Sequence, residues 1–341
     1  MLERMVSGFW EALPQPFFAL APMADVTDAA FRRIIAKYGK PDVMWTEFVS
    51  ADGLASRGAE ALVADLVFDE SERPIVAQIF GSNPVTIERA ASCVAELGFD
   101  GVDINMGCPD RNVEKQGAGA ALIKNPKLAR EVIAAAKRGA GDLPVSIKTR
   151  IGYDEDILDA WLPTLLEAEP AAVTVHARTR SEMSDVPARW EAVRRAVEMR
   201  NRLDRSPTRT LIVGNGDVKS VGEAFERARE TGADGVMVGR GVFGNPWFFN
   251  RGAGDMSHAI EDRLRVLVEH TELFERLLGD RKNFSVMRKH FGAYIAGFDG
   301  AKELRTQLMS VRNARETREV VSTYVAARSQ HSDILKNVGM L

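Results

Sequence analysis

The chain has 341 residues, 45% of them hydrophobic, which is enough to bury the core of one large barrel with an appendage or of two ordinary domains. Its two cysteines, Cys93 and Cys108, are too few for a disulfide framework and lack metal-ligand spacing, which predicts a reducing, cytoplasmic compartment and no metal site. A net charge of −3 argues against a general nucleic-acid-binding protein, and no run approaches the roughly 18 apolar residues of a membrane span. We expect an untargeted monomer that does not associate with membranes.

Short runs rich in Val, Ile, Phe and Ala recur along the chain, each followed by an amphipathic helical stretch, a pattern typical of parallel strands buried on both faces. The predicted strands are residues 17–23, 43–49, 74–80, 101–107, 144–150, 171–177, 210–216 and 235–241. Eight such units in roughly 250 residues favour a (β/α)8 TIM barrel, because a doubly wound open sheet usually has about six strands. The predicted fold class is therefore α/β, with the barrel over residues 1–250.

The pattern changes after the eighth predicted strand. From about residue 255 only helical periodicity remains, which predicts a smaller C-terminal all-helical domain, assigned to residues 251–341. Residues 281–341 contain 11 Lys and Arg against 5 Asp and Glu, a net charge of +6, which leaves −9 on residues 1–280. A basic helical domain is thus predicted beside an acidic barrel.

Catalytic groups of TIM barrels lie at the carboxyl ends of the strands, where the loops converge on the barrel axis. Glycines mark the ends of the seventh and eighth predicted strands, in "GNGD" and "GRG". Backbone amides there, together with Arg240, suit a phosphate, and these are the barrel positions that usually bind one. Taken alone, "NGD" is equally consistent with a tight turn capped by Asp217.

Three polar residues, Gln78, Lys148 and His176, come from the third, fifth and sixth predicted strands and should point into one volume beside that phosphate. Separately, the lysine is more simply an ion-pair partner and the histidine a core residue. Together they suit a cofactor ring that gains negative charge on reduction, since an ammonium and a donor imidazole stabilise such charge. This combination predicts a flavin.

Several longer motifs carry a resemblance that covers most of the chain. They are "LAPMADVTDAAFR", "TEFVSADGL", "AQIFGSNP", "DINMGCPDRNVEKQGAGAAL", "IKTRIGYD", "TVHARTR", "GNGDV" and "GRGVFGNPWFF". In this order and spacing the sequence resembles the tRNA-dihydrouridine synthases, flavin enzymes that reduce the C5–C6 double bond of specific uridines in tRNA. "NMGCP" followed by "GAGAAL" is the most specific part.

The resemblance implies a non-covalent FMN, re-reduced by NADPH, with two groups of contacts. The phosphate is expected near Asn215, Gly216, Asp217, Gly239 and Arg240, and the ring near Pro22, Met23, Gln78, Lys148 and His176. It also implies that Asn105 and Cys108 face the target uracil and that Arg178 lies close to the RNA. The loop "HARTRSEMSDVPARW" departs from the family's usual pattern, with Ala177, Ser184, Asp185 and Arg189 in place of the usual residue types.

Reduction of uridine requires a hydride at C6, which the flavin N5 delivers, and a proton at C5. Cys108 is the expected proton donor, because a thiol with a pKa near 8.5 is mostly protonated at neutral pH and Pro109 stiffens its turn. The alternative is that Cys108 is a small buried hydrophobic residue, the role that we assign to Cys93. Arg288 and Lys289 are among the basic residues expected to hold tRNA phosphates, although a solvated helix face is a simpler explanation of each.

Two other functions fit part of the sequence. Another FMN barrel, which reduces a small enone or a dihydroorotate-like ring, explains the flavin site but leaves the basic helical domain without a role. An RNA-binding or tRNA-chaperone protein without catalysis explains that domain, but Cys108, Lys148 and His176 argue against it.

Overall fold

The computed structural model describes residues 8–203, 209–251 and 258–337, with side chains up to residue 328. The strands are β1 (Phe17–Leu20), β2 (Met44–Trp45), β3 (Val49–Ser50), β4 (Ile75–Phe80), β5 (Gly101–Met106), β6 (Val145–Arg150), β7 (Ala172–His176), β8 (Leu211–Asn215) and β9 (Gly235–Val238). The helices of residues 8–251 are α1 (Ala29–Tyr38), α2 (Ala51–Leu54), α3 (Ala59–Val63), α4 (Pro84–Glu96), α5 (Arg111–Lys115), α6 (Pro126–Ala140), α7 (Leu158–Leu166), α8 (Trp190–Leu203) and α9 (Val221–Thr231).

Four further α-helices and several short 3-10 helices complete the described chain. The α-helices are α10 (Ile260–Leu278), α11 (Met287–Tyr294), α12 (Ala301–Leu308) and α13 (Ala314–Asn337). The 3-10 helices are Gly8–Ala12, Ala64–Leu66, Glu70–Glu72, Gly119–Lys124, Arg240–Val242 and Phe284–Val286.

The strands form one parallel sheet in the order β1-β9-β8-β7-β6-β5-β4-β2, and β3 also pairs with β4. A parallel bridge between Ala19 and Val43 joins the two ends of this order and closes the barrel. Helices cover its outside, as the buried, β-branched strands require. The predicted (β/α)8 barrel with a helical C-terminal part is confirmed.

The second predicted strand, residues 43–49, differs from the prediction because the chain breaks it into β2 and β3. At the break, the Thr46 hydroxyl accepts the backbone N–H of Gln78 at 3.1 Å and donates to the carbonyl of Glu47 at 2.8 Å. The Thr46 side chain therefore replaces a backbone carbonyl as the acceptor of one hydrogen bond of the sheet. Several other predicted strands were too long. Both β1 and β9 end three residues earlier than predicted, and β9 is followed by the 3-10 helix Arg240–Val242.

Local sequence explains where two of the barrel helices begin. In both α4 and α6 the first residue is a proline preceded by an asparagine, in "NPV" and "NPK". The Asn83 and Asn125 side chains accept the backbone N–H groups of Val85 and Leu128, which no helical carbonyl can satisfy. Proline costs nothing at this position because its missing N–H would have no partner in the helix.

Apolar side chains fill the inside of the barrel. Phe17, Trp45, Val76 and Met237 belong to this cluster, and Trp10, from the 3-10 helix Gly8–Ala12, packs beneath them. The ring centroids of Trp10 lie 5.7 Å from Phe17 and 6.0 Å from Trp45. The barrel is therefore solid at its amino-terminal end, so a ligand can enter only from the opposite end.

The C-terminal helices pack against α1 of the barrel through a continuous apolar cluster. Ala30 and Ile34 of α1 lie in it together with Leu267, Phe274 and Phe291. Beside it, the Phe31 ring lies 5.6 Å from the His270 ring and 5.0 Å from the His290 ring, centroid to centroid. This burial fixes the helical part relative to the barrel.

Ile34→Ala should lower the free energy of unfolding by about 2–5 kcal/mol, because Ile34 is fully buried and its truncation leaves a cavity at this contact. Chemical denaturation monitored by circular dichroism measures the change. Ile34→Val is the matched control, with an expected loss of about 0.5–1.5 kcal/mol. Equal effects of the two substitutions would contradict tight packing at this contact.

Candidate active site

A cavity of about 320 Å³ opens at the carboxyl ends of the barrel strands. All the barrel residues predicted for the site line it: Pro22, Met23, Gln78, Asn105, Cys108, Lys148, His176, Arg178, Asn215, Gly216, Asp217, Gly239 and Arg240. The structure thus brings together residues from seven of the nine strands or the loops that follow them. Their roles toward a ligand stay predictions.

Strand register explains why residues distant in sequence meet here. Asn105 of β5 is paired with Lys148 of β6, and His176 of β7 is paired with both Arg150 of β6 and Asn215 of β8. Paired residues of parallel strands lie at the same height in the sheet. The register therefore places these polar groups in two successive layers at the cavity, Asn105 with Lys148 and, two residues nearer the carboxyl ends, Arg150 with His176 and Asn215.

The cavity is rich in positive charge. Lys148, Arg150, Arg178 and Arg240 line it, and Asp217 is the one carboxylate among its lining residues. Burial lowers the pKa of Lys148 to about 8, with a further contribution from Arg150, while Asp103 opposes the shift. Such a concentration of positive charge favours an anionic ligand.

His176 is a neutral imidazole. Burial, followed by the positive charge of Lys148, holds its pKa well below the ordinary value. Its Nε2 atom lies 3.2 Å from a guanidinium nitrogen of Arg178, and a guanidinium can only donate. Nε2 is therefore the acceptor, so the proton is on Nδ1.

The "NGD" turn after β8 is shaped by glycine and by an acid. Gly216 has φ +138, and a Cβ atom on it would lie 2.6 Å from the Cβ of Ala188. Asp217 pairs with Arg178 and, at 3.4 Å, with Arg240, and accepts the Ala188 N–H at 2.8 Å. Burial acts to raise the pKa of Asp217, but the hydrogen bonds from Arg178 and the Ala188 N–H, together with the charges of Arg178 and Arg240, outweigh burial and lower that pKa. Asp217 thus positions two arginines at the cavity instead of simply capping a turn.

The loop that carries Cys108 is held by its neighbours. Asn105 Oδ1 accepts the N–H groups of Gly107 at 3.1 Å and Cys108 at 2.9 Å, and Arg150 Nε donates to the Gly107 carbonyl at 2.8 Å. The thiol packs against an apolar cluster that includes Phe80. Burial raises the pKa of Cys108, so the group at the cavity is a thiol at neutral pH.

Sequence reasoning did not assign seven of the lining residues to the site. They are Ala21, Phe48, Gly107, Pro109, Arg150, Met183 and Ser184. The sequence contained evidence that could have identified Arg150, because it ends "IKTR" two residues after Lys148 and strand alternation places both side chains on one face. The sequence contained no such evidence for Phe48, since it lies in the break between β2 and β3 that strand periodicity did not predict.

The divergent loop after His176 has a clear structural role at two of its unusual positions. Ala177 is buried, and Arg189 forms two hydrogen bonds with Glu182, at 2.7 and 2.8 Å. Ser184 lines the cavity, so it is the departure from the usual pattern that can meet a ligand.

The two residues predicted on the helical part do not line this cavity. Lys289 Nζ lies 3.3 Å from the Asp25 carboxylate, two residues beyond Met23. Arg288 lines a separate cleft of about 580 Å³ with Arg312. His290, another basic residue of that stretch, is buried and so cannot meet a phosphate at the surface.

Over the described ranges, no three His, Cys, Asp or Glu side chains are grouped so that they could ligate a metal ion. None of the helices in those ranges combines the length and hydropathy needed to cross a bilayer.

The fold and this cavity define a TIM-barrel protein with its site at the carboxyl ends of the strands. A family model described as dihydrouridine synthase (Dus) matches residues 19–331. A probable tRNA-dihydrouridine synthase of Staphylococcus epidermidis is 40% identical over 333 residues, 97% of this chain and 100% of that protein. Probable tRNA-dihydrouridine synthase 2 of Bacillus subtilis is 40% identical over 323 residues, 94% of this chain and 97% of that protein. The chain belongs to the dihydrouridine synthase family, which confirms the resemblance and the predicted enzyme class.

Solved structures with similar folds agree with the barrel. A 2-naphthoyl-CoA reductase has a TM-score of 0.52 at 10% identity, over 69% of this chain and 49% of that chain. Morphinone reductase has a TM-score of 0.50 at 16% identity, over 70% of this chain and 86% of that chain. At these identities the likeness concerns the fold.

Gly216→Ala should destabilise the protein by about 1–3 kcal/mol for two reasons. The new Cβ would collide with Ala188, and the backbone φ of +138 is unfavourable for alanine. Gly239→Ala is the control at the neighbouring strand end, where the nearest atom to a new Cβ is Met23 Sδ at 3.4 Å, an ordinary contact. Thermal denaturation of both variants measures the difference. If Gly239→Ala were the more damaging, the turn geometry described here would be wrong.

Proposed function

We propose that this chain is a tRNA-dihydrouridine synthase, which reduces the C5–C6 double bond of specific uridines in tRNA with FMN as cofactor and NADPH as the source of electrons. One observation carries the proposal: the Cys108 thiol, the Lys148 ammonium and the His176 imidazole meet in a single cation-rich cavity at the carboxyl ends of the strands. Membership in the family supplies the class of reaction.

The residues present fit FMN. Four cationic side chains against one carboxylate suit a phosphate-bearing ligand, and glycines at two adjacent strand ends let backbone amides approach it. We propose that Asn215, Gly216, Asp217, Gly239 and Arg240 hold the phosphate. The proposed ring contacts are Pro22, Met23, Gln78, Lys148 and His176. When bound, FMN supplies the hydride that adds to C6 of the uracil.

Cys108 is the proposed acid. As the new C6–H bond forms, the thiol gives its proton to C5, so that both carbons become saturated and a thiolate remains. The positive charges of Lys148 and Arg150 favour that thiolate, since both act to lower the pKa of Cys108 against the larger effect of burial. Solvent then returns a proton to the sulfur. A thiol kept protonated by burial and stabilised by cations after transfer is suited to this role.

Lys148 and His176 have complementary tasks. The ammonium of Lys148 donates to Asn215 Oδ1 at 3.2 Å, which aims it across the cavity floor. A neutral His176 donates through Nδ1, while its Nε2 accepts from Arg178. Both groups therefore offer donors to a ligand that bears or gains negative charge. Asn105 and Arg178 are the proposed contacts to uracil and RNA.

The helical part is the proposed tRNA-binding domain. We divide the chain into a catalytic barrel, residues 1–250, and a tRNA-binding domain, residues 251–341. Support comes from its net charge of +6 over residues 281–341 and from the position of Lys289, which pairs with Asp25 beside the cavity. We propose that Arg288 and Lys289 bind the phosphate backbone of the tRNA. The uridine must leave its stack to enter the cavity.

The proposal is tested by incubating the protein with FMN, NADPH and unmodified tRNA and mapping dihydrouridine by nucleotide. Cys108→Ala should retain FMN but lose at least about a hundredfold of turnover, the usual contribution of a positioned acid. Cys93→Ala is the matched control, because Cys93 lies on the outer helix α4 and is not a lining residue. Unchanged turnover in Cys108→Ala would remove the thiol from the mechanism.

FMN binding should also depend on pH through Lys148, whose pKa lies near 8. The ammonium is charged below that pH and neutral above it, so its attraction to the phosphate and ring is lost as the pH rises. The dissociation constant of FMN should increase about tenfold between pH 7 and pH 9, as proton linkage to one group requires. Flavin fluorescence quenching measures it. Lys148→Met should bind FMN more weakly at pH 7 and show a flat profile; a wild-type slope in this variant would assign the effect to another group.

A further inference from the structure

A chain of hydrogen bonds runs under the loop that carries Cys108. Ser146 Oγ donates to Asp103 Oδ1 at 2.6 Å, and Gln78 Nε2 donates to Asp103 Oδ2 at 2.7 Å. Asn105 Nδ2 then donates to Gln78 Oε1 at 3.0 Å, and the backbone N–H of Cys108 donates to Asn105 Oδ1 at 2.9 Å. Asp103 is fully buried, so no water competes for its oxygens.

At each end of this series of hydrogen bonds, the group can act only as an acceptor or only as a donor. Burial raises the pKa of Asp103 to about 6, so it is a carboxylate at neutral pH and can only accept. At the other end, the backbone N–H groups of Gly107 and Cys108 can only donate. The amides of Gln78 and Asn105, which could each face either way, are therefore held in one orientation by their neighbours.

That orientation has a consequence at the cavity. Asn105 Oδ1 is occupied by two backbone N–H groups, and one hydrogen on Nδ2 is used by Gln78. Both side chains line the cavity, but Asn105 keeps 6% of its surface exposed, whereas Gln78 exposes 0%. The group that Asn105 can offer to a ligand is thus its second N–H, a donor, directly beside Cys108.

We propose that Asp103 is a positioning residue for this site: acting through Gln78 and Asn105, it fixes the backbone of Cys108 and turns an N–H donor of Asn105 to the cavity. Such a donor recognises a carbonyl oxygen of a pyrimidine ring. The part that concerns the pyrimidine rests on the proposed function, while the part that concerns the thiol does not. What matters at position 103 is an acceptor oxygen facing Gln78.

Four variants separate this role from others. Asp103→Leu removes the acceptor and Gln78→Met breaks the chain at its middle link. Asp103→Asn removes the charge but restores an acceptor, because its oxygen can face Gln78 while its amide donates to the Ser146 hydroxyl. Ser146→Ala is the control, since it removes the other hydrogen bond of Asp103 and leaves the path to Cys108 intact.

The first readout needs neither cofactor nor tRNA. The rate of Cys108 alkylation by iodoacetamide, resolved from that of Cys93 by peptide mass spectrometry, reports how firmly the loop is held. Asp103→Leu and Gln78→Met should raise this rate at least about threefold, as the loss of a net hydrogen bond predicts. Asp103→Asn and Ser146→Ala should stay within about twofold of the wild type.

The second readout is turnover at saturating FMN. Asp103→Leu should raise KM for tRNA by about threefold to tenfold, the effect of one lost donor, and Asp103→Asn should restore most of it. An Asp103→Asn variant as impaired as Asp103→Leu in both readouts would assign the effect to charge and overturn the proposal. Asp103→Leu indistinguishable from Ser146→Ala would overturn it as well.

Two further outcomes are decisive. If Asp103→Leu does not fold, Gln78→Met decides the alkylation result, because it leaves the carboxylate and Ser146 in place. If the wild type forms no dihydrouridine, the proposed function fails while the alkylation series still supports or overturns the role of Asp103 on the thiol.

Discussion

The parallel register of the barrel strands is the constraint on which the rest depends. The bridge between Ala19 and Val43 closes the sheet. The pairing of β5 through β8 sets Asn105 beside Lys148 and, two residues further along the strands, His176 beside Arg150 and Asn215. A shift of one residue in any of these pairs would turn a polar side chain from the cavity into the apolar layer behind the sheet. The site therefore depends on the correct register of the barrel strands.

The site that results consists almost entirely of hydrogen-bond donors. The cationic side chains are donors, neutral His176 carries its proton on Nδ1, and the single amide oxygen of Asn105 accepts two backbone N–H groups. The Asp217 carboxylate, which could otherwise accept from a ligand, forms an ion pair with Arg178. A cavity with this polarity is stabilised by a ligand rich in acceptors, which is the common chemistry of a phosphate, a flavin ring and a uracil. The thiol of Cys108 is the exception, because it is the proposed source of a proton.

The helical part is tied to the barrel at two levels. An apolar contact around Phe31 and Ile34 supplies stability, with neutral His270 and His290 buried against it. Nearer the cavity, Lys282 pairs with Glu47 at 2.6 Å, and the same carboxylate accepts the Asp25 N–H. The loops after β1 and β2 thus contact the helical part directly, through Lys289 at Asp25 and Lys282 at Glu47. Lys282 forms this ion pair with Glu47, although its charge alone would suggest that it binds a phosphate at the surface.

Strand periodicity, a local property of the sequence, predicted the barrel and the helical tail. The rule of carboxyl-end catalysis and the family resemblance predicted the barrel residues that line the cavity. The sequence did not determine the break that exposes Phe48, nor the burial of His290. Only the tertiary structure decided which polar groups satisfy one another, as with Arg178 and Asp217 or Asp103 and Gln78. Such partners come from segments far apart in sequence, and a hydrogen bond depends on tenths of an ångström that the packing of the whole barrel sets.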